Sequence, residues 1–432
     1  MEGLLKKFKQ IGVTLFILVI TIEVSPYIIS PIVAGQSFSR EEIQGLLQGT
    51  GLTQNFGALS ELQENTEHVY LGRNAIHPYI GFVANPGSNR NELGFPGPTP
   101  LVKSSADEVH ICLTGGSVAI GLYGACRDRI ATTLSQTGHF KDKKIRIVLV
   151  ALAGFKQPQQ LMSLNYFMAL GAEYDLVINL DGFNEIALPF SDNLPFGVFP
   201  SFPRHWNMLS RKGMNSSVLQ LIGQQAFEQN RRERTRKWYS ASVLRHSNFG
   251  LFLWRFSDNK RSLNLYELEG GLRKAAKDLD KEYQSVGPDI SYGDTTQYFE
   301  HCADLWRNAS AQMGALEQAG SFNYFHFLQP NQYVDGSKVL TGEELTIAYE
   351  DGPLDYKTAV VKGYPFLVRK GKELMGMNIN FTDLSMLFKE EQRSVYQDKC
   401  CHFNQLGNEI IADRITTEVI KILTDKKTSS LK

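Results

Sequence analysis

The chain has 432 residues, 42% of them hydrophobic and 21% charged, which is ordinary globular composition with apolar matter for a large core. Lys plus Arg and Asp plus Glu balance at 45 each, so net charge gives no support to nucleic-acid binding. Five cysteines are too few for a disulfide scaffold at this length, and the odd number leaves a thiol over.

Lys6, Lys7 and Lys9 precede an apolar run from Ile11 to Ile22, which Val24 and Ile28–Ile29 extend past Glu23. Positive charge before an apolar stretch keeps the N-terminus in the cytoplasm and sends the rest of the chain across the membrane. The uninterrupted part is shorter than the roughly 20 residues of a spanning helix, and Pro26 and Pro31 are expected to end any helix near the outer surface. Residues 1–35 therefore read as an uncleaved anchor or a cleaved signal, with Ile32–Val33–Ala34–Gly35 offering small residues for cleavage. Either implies export, facing the periplasm or extracytoplasmic side, with the membrane as a partner through this segment.

Residues 36–76 read as a connector. Ser39 to Leu47 has capping character and helical spacing, and His77 to Pro100, rich in Gly, Pro and Asn, reads as ordered loop. Val109–Leu113 is a short apolar strand that breaks into Thr114–Gly115–Gly116–Ser117, followed by a helix over about Val118–Leu134. Ile145–Ala151 is a second strand, almost wholly apolar, ending at Ala153–Gly154 before a helix over Gln157–Leu170. A third strand, Asp175–Leu180, ends in Asp181–Gly182–Phe183–Asn184. This alternation predicts βαβ units and a parallel sheet covered on both faces.

From 190 to about 320 the pattern changes to Pro-rich turns and helices near Val218–Arg236, Ser240–Phe256 and Thr295–Gln318, an insertion expected to pack over one side of the sheet. The basic run Arg231 to Lys237 reads as a solvated helix face. Tyr324–Leu328 restores a strand; a helix over Tyr356–Lys372, an extended piece at Met377–Phe381 and a closing helix over Gly407–Leu423 come after it.

Ligands of open parallel sheets sit beyond the carboxyl ends of the strands. Ser117, on a glycine-flanked strand-to-helix turn, would be exposed at a helix N-terminus that favours developing negative charge. Gly154 lets its N–H approach a substrate oxygen, and the Asn184 side chain can donate to the same atom. Asp398 and His402 lie in one loop before the last helix, where a neutral imidazole can take a serine proton and a carboxylate can fix its tautomer. The bland alternatives are an N-cap for Ser117, a turn glycine at Gly154, a loop cap at Asn184 and a surface loop residue for His402. His326 and His77 read as structural. A bridge from Cys302 to Cys400 or Cys401 would pin the loop. No His/Cys/Asp group has metal-ligand spacing, so neither metal nor cofactor is expected.

These blocks, in order, resemble the SGNH hydrolase superfamily, which includes the GDSL lipases and esterases. The likeness covers about residues 77–190 and 322–425. It implies a flavodoxin-like three-layer α/β/α sandwich with a mostly parallel sheet, one domain over 77–432 carrying the helical insertion. It also implies Ser117 as nucleophile, His402 as base, Asp398 as its orienter, and the Ser117 amide, Gly154 amide and Asn184 side chain as oxyanion donors. Two positions depart from the family pattern: Gly116 stands where Asp is usual, and Lys399 occupies the place of the family's Asp three residues before His, with Asp398 one residue earlier. The implied function is an extracytoplasmic esterase or O-deacetylase acting on an ester-bearing small molecule, glycan or lipid. A polysaccharide O-acetyltransferase with the same site, and an inactive glycan-binding protein on the same fold, are the competing readings.

Overall fold

A computed structural model describes residues 2–34, 37–48, 74–84, 90–210, 216–276, 283–320, 322–350 and 355–430. Most of the connector, residues 49–73, lies outside the described residues. The main helices, in chain order, are α1 (Glu2–Ala34), α2 (Arg40–Gln48), α3 (Ser117–Ser135), α4 (Gln159–Ala169), α5 (Phe183–Leu188), α6 (Ser216–Ala241), α7 (Asn248–Ala276), α8 (Thr295–Gly320), α9 (Asp355–Gly376) and α10 (Gln405–Ser430). The strands are β1 (Asn74–His77), β2 (Gly81–Ala84), β3 (Glu108–Gly115), β4 (Lys144–Ala151), β5 (Leu176–Asp181), β6 (Asn323–Leu328) and β7 (Asn380–Asp383). The chain forms two compact units: Met1–Val69 with Asn215–Asp278, and Tyr70–Met214 with Leu279–Lys432.

The second unit is α/β. Its five-stranded sheet has the order β4-β3-β5-β6-β7, and each neighbouring pair is parallel. Side chains alternate between two cores, as the two-residue period of a strand requires. Ile111 and Leu113 of β3, Leu149 of β4 and Ile178 of β5 join a core with Leu122, Ile130 and Leu134 of α3 and Ile411 and Ile415 of α10. Cys112, Val148, Val150 and Val177 point the other way, to Leu161, Leu164 and Phe167 of α4 and Met313 of α8. Burial on both faces is why these strands are near-continuous apolar runs. Helix α9 packs beside α8 and along β7.

Two local expectations change. The stretch read as loop holds an antiparallel hairpin, β1–β2, each strand only four residues long. His77 shapes its turn, Nδ1 accepting from the amides of Tyr79 (3.3 Å) and Ile80 (3.2 Å). In the first unit, α1 continues through Pro26 and Pro31 to Ala34 instead of ending there. A proline removes the N–H that would bond the carbonyl four residues earlier. Here that carbonyl is Ile22 O, and the Ser25 hydroxyl donates to it at 2.8 Å, replacing the missing bond.

The expected insertion divides between the units. Helix α8 packs on the sheet, while α6 and α7 form a helical hairpin with α1 and α2. The reason is apolar matching: Leu251 and Trp254 of α7 bury against Phe38, Ile43 and Leu47. The basic run is only partly solvated. Arg232 grips Asp258 of α7 through two bonds of 2.6 and 2.8 Å, and Arg236 donates to Leu47 O at 3.1 Å.

In the sheet, β3 ends against its neighbour at Gly115. A Cβ added there would lie 2.2 Å from Leu180 O, and the residue has φ +148°. Gly115→Ala is expected to cost on the order of 2–4 kcal/mol, measured as a lowered thermal or denaturant midpoint; Gly138→Ala, where the added methyl meets nothing within 4 Å, is the control that stays near wild type.

Candidate active site

The chain leaves β3 toward β4 on one side and, later, β5 on the other, so a crevice opens at the carboxyl end of β3. Register puts Gly115 beside Ala151 of β4 and Leu180 of β5. Ser117, two residues on, is the first residue of α3 and is half-buried. The side-chain-free Gly116 is a requirement of the packing. A Cβ there would fall 2.3 Å from Asn184 Nδ2 and 3.3 Å from Phe155 O. An aspartate at this place would collide with the asparagine.

Asn184 is buried in the first turn of α5. Its amide carries two N–H donors, and one goes to Phe155 O at 2.6 Å. Gly154 lies in the turn after β4, with φ +76°, and Phe155 N closes that turn onto Leu152 O at 3.0 Å. The structure thus brings the Asn184 amide against the Gly116–Ser117 peptide and the Gly154 turn to the adjacent strand end.

His402 comes from the loop before α10. Its Nε2 is 2.7 Å from Ser117 Oγ, and its Nδ1 bonds Asp398 Oδ2. With the ring proton on Nδ1, facing the carboxylate, Nε2 presents its lone pair to the serine hydroxyl. The displaced aspartate reaches the histidine because residues 398–402 wrap around its carboxylate. Asp398 Oδ1 accepts from the amides of Cys400 (2.9 Å), Cys401 (3.1 Å) and His402 (3.3 Å). Lys399 turns away, its Nζ 3.6 Å from Glu350. Burial pushes the Asp398 carboxyl upward, but the His402 ring beside it and the amides outweigh that, and its pKa is held below the ordinary 3.8.

No disulfide joins any of the five cysteines, all of them among the described residues, and Cys302 is buried without a bridge to the loop. Cys400 Sγ and Cys401 Sγ are 3.1 Å apart. Together with His402 they bring ligand atoms within 4.8 Å of one another, a group without the usual ligand spacing because the three residues are consecutive. Both ring nitrogens of His402 are already engaged by Asp398 and Ser117, so an ion there would compete with that contact.

Two residues overlooked in the sequence hold the turns that carry Gly154 and Asn184. Glu185 accepts from Gln157 N (3.0 Å), Gln160 Nε2 (3.0 Å) and Gly182 N (2.7 Å), tying the turn after β4 to the turn after β5. Burial, with Asp181 nearby, pushes its carboxyl up to about 8. The Lys156 ammonium is buried and donates to the carbonyls of Pro200 and, at 2.6 Å, Phe202; burial pulls it down to about 8. Glu185 comes directly after Asn184, a capping-box position three residues after Gly182, which is the signal that could have found it. Beneath these turns, His326 is fully buried, its Nε2 2.8 Å from Asp181 Oδ1 and its Nδ1 2.7 Å from Ser310 Oγ. Trp306 Nε1 also donates to Asp181, at 2.7 Å.

Compared with protein-family models and with curated proteins, the chain matches none.

Because Asp398 binds its proton less readily folded than unfolded, it stabilises the fold fully above the unfolded value near 3.8, and that contribution is lost as pH falls through the lower folded value. Asp398→Asn removes this dependence. The wild-type advantage in melting temperature, measured at pH 6, is expected to shrink at pH 3.

Proposed function

We propose that the chain is an extracytoplasmic serine esterase of SGNH type, held at the membrane by α1 and acting on acylated carbohydrate or lipid through an acyl-enzyme on Ser117. The observation that carries this reading is the continuous chain from Ser117 Oγ through both nitrogens of His402 to the buried Asp398, built at a parallel-sheet switch point. Counted from the first parallel strand, the sheet order is 2-1-3-4-5, the flavodoxin-like order expected of this superfamily. Among the described residues one helical segment, Gly12–Ile32, is long and apolar enough to cross a membrane, which supports the anchor.

In this mechanism His402 Nε2 removes the Ser117 proton as Oγ attacks the ester carbonyl carbon. Asp398, charged at neutral pH, stabilises the imidazolium and keeps the ring turned toward the serine. The carbonyl oxygen becomes an oxyanion beside the Ser117 amide, at the N-terminus of the 19-residue α3. The Gly154 amide and the second Asn184 N–H complete the donor set, each worth about 3 kcal/mol in acyl transfer. The imidazolium then protonates the departing alcohol, and water repeats the sequence to release the acid. Glu185 serves as a positioning residue, setting the separation of the two turns that carry Gly154 and Asn184.

A fluorophosphonate probe applied to the purified full chain is expected to label wild type, with labelling and p-nitrophenyl acetate hydrolysis reduced at least about 10³-fold in Ser117→Ala and His402→Ala. A folded, unlabelled wild type would overturn the esterase and leave the glycan-binding reading. Glu185→Gln sets an amide NH₂ against backbone N–H groups; kcat is expected to fall about tenfold with KM little changed, the signature of a donor lost only in the transition state.

A further inference from the structure

The apolar span of α1 reaches bilayer length only if Glu23 lies inside the membrane. Between Lys9 and Glu23 lie Gln10 to Ile22, thirteen residues, which as a helix cover about 20 Å against about 30 Å of hydrocarbon. One side of the helix stays apolar and uncovered beyond Glu23: Ile28 is 63% and Ile32 78% exposed. A bilayer that covers this surface reaches past Glu23, and an unsatisfied carboxylate at that depth is costly.

Glu23 is not unsatisfied. It accepts from the Ser247 hydroxyl and from Asn248 N at 2.6 Å, and Asn248 Nδ2 donates to Glu23 O at 3.2 Å. These donors belong to the tip of the α6–α7 hairpin, residues 242–249, so the tip stands at the level of Glu23 on α1. From above, α2 holds it there: Arg40 donates to Asn248 Oδ1 (2.6 Å) and His246 O (2.8 Å). The tip carries Val243, 84% exposed, and the neighbouring Trp238 and Phe256 are more than half exposed. Arg245, in the same tip, suits anionic headgroups, as cations and aromatic rings do at a membrane interface.

We propose that the hairpin tip is a second membrane-contacting element, immersed with Val243 in the outer leaflet of the same bilayer that α1 crosses, and that Glu23 is the clasp joining them. This rests on α1 spanning the membrane as proposed above, and its occupant is lipid.

The test uses the full chain reconstituted in phosphatidylcholine–phosphatidylglycerol vesicles. Val243→Cys is compared with Val339→Cys, a valine of equal exposure (84%) in the sheet unit. Each is treated with a membrane-impermeant maleimide, normalised to labelling in SDS and corrected for the native thiols. Val243→Cys is expected to react at least about tenfold more slowly, and adding Glu23→Ala, which unfastens the tip, is expected to restore much of its reactivity. Equal rates in a chain that resists alkaline carbonate extraction would overturn immersion of the tip while leaving the anchor. Release of the chain by carbonate would overturn the span and the tip together.

Discussion

Strand β3 is hydrogen-bonded to a parallel neighbour on each side, and the site depends on how that strand stops. Gly115 ends pressed on Leu180 O, where no side chain fits, and Gly116 leaves room for the Asn184 amide and the Phe155 carbonyl. The register then fixes where the turns after β4 and β5 arrive. Ser117 opens α3 within reach of all three strand ends, and the loop before α10 has one place to deliver an imidazole. A larger residue at either glycine would separate the serine from its neighbours before any chemistry was considered.

Three buried acids near this crevice meet different fates, and the difference lies in their partners. Asp398 has an imidazole and three amides, enough to keep it charged despite burial. Asp181 is likewise held below its ordinary value: burial works against it, and the His326, Trp306 and Asn179 bonds prevail. Glu185 receives N–H bonds, but burial, with Asp181 adding repulsion, outweighs them, and it rises. The Asp181–His326 pair has the chemistry of a catalytic dyad but is sealed on every side, with His326 at 0% exposure. It serves as a rigid polar post beneath the turn that carries Asn184.

Strands β3, β4 and β5 were legible because they are covered on both faces and so are written as apolar runs, each followed closely by a glycine. Ser117 and His402 were legible for a related reason, since both sit where such a run or the final helix begins or ends. What escaped depends on contacts between distant residues or on pieces too short to show a period. The β1–β2 hairpin has four-residue strands held by a histidine ring nitrogen. Helix α1 passes Pro26 with a neighbouring serine hydroxyl bonding the carbonyl that the proline leaves open. The role of Asp398 was doubtful in the sequence, where Lys399 holds the expected place; the tight wrap of three amides that brings Asp398 to His402 is a matter of loop geometry. The division of residues 190–320 between two units came from Trp254 finding its apolar partners in α2, a match no local pattern records.

Ser117 and His402 are 285 positions apart in the chain. Closing so long a loop is slow and entropically unfavourable until the intervening sheet has formed. A chain emerging from its N-terminus has its serine, both glycines and Asn184 synthesised long before the imidazole that pairs with the serine. On the proposed reading, the hydroxyl would stay an ordinary alcohol until the loop before the last helix docks. Topology would then make completion of the fold the condition for chemistry, with that docking as the arming step.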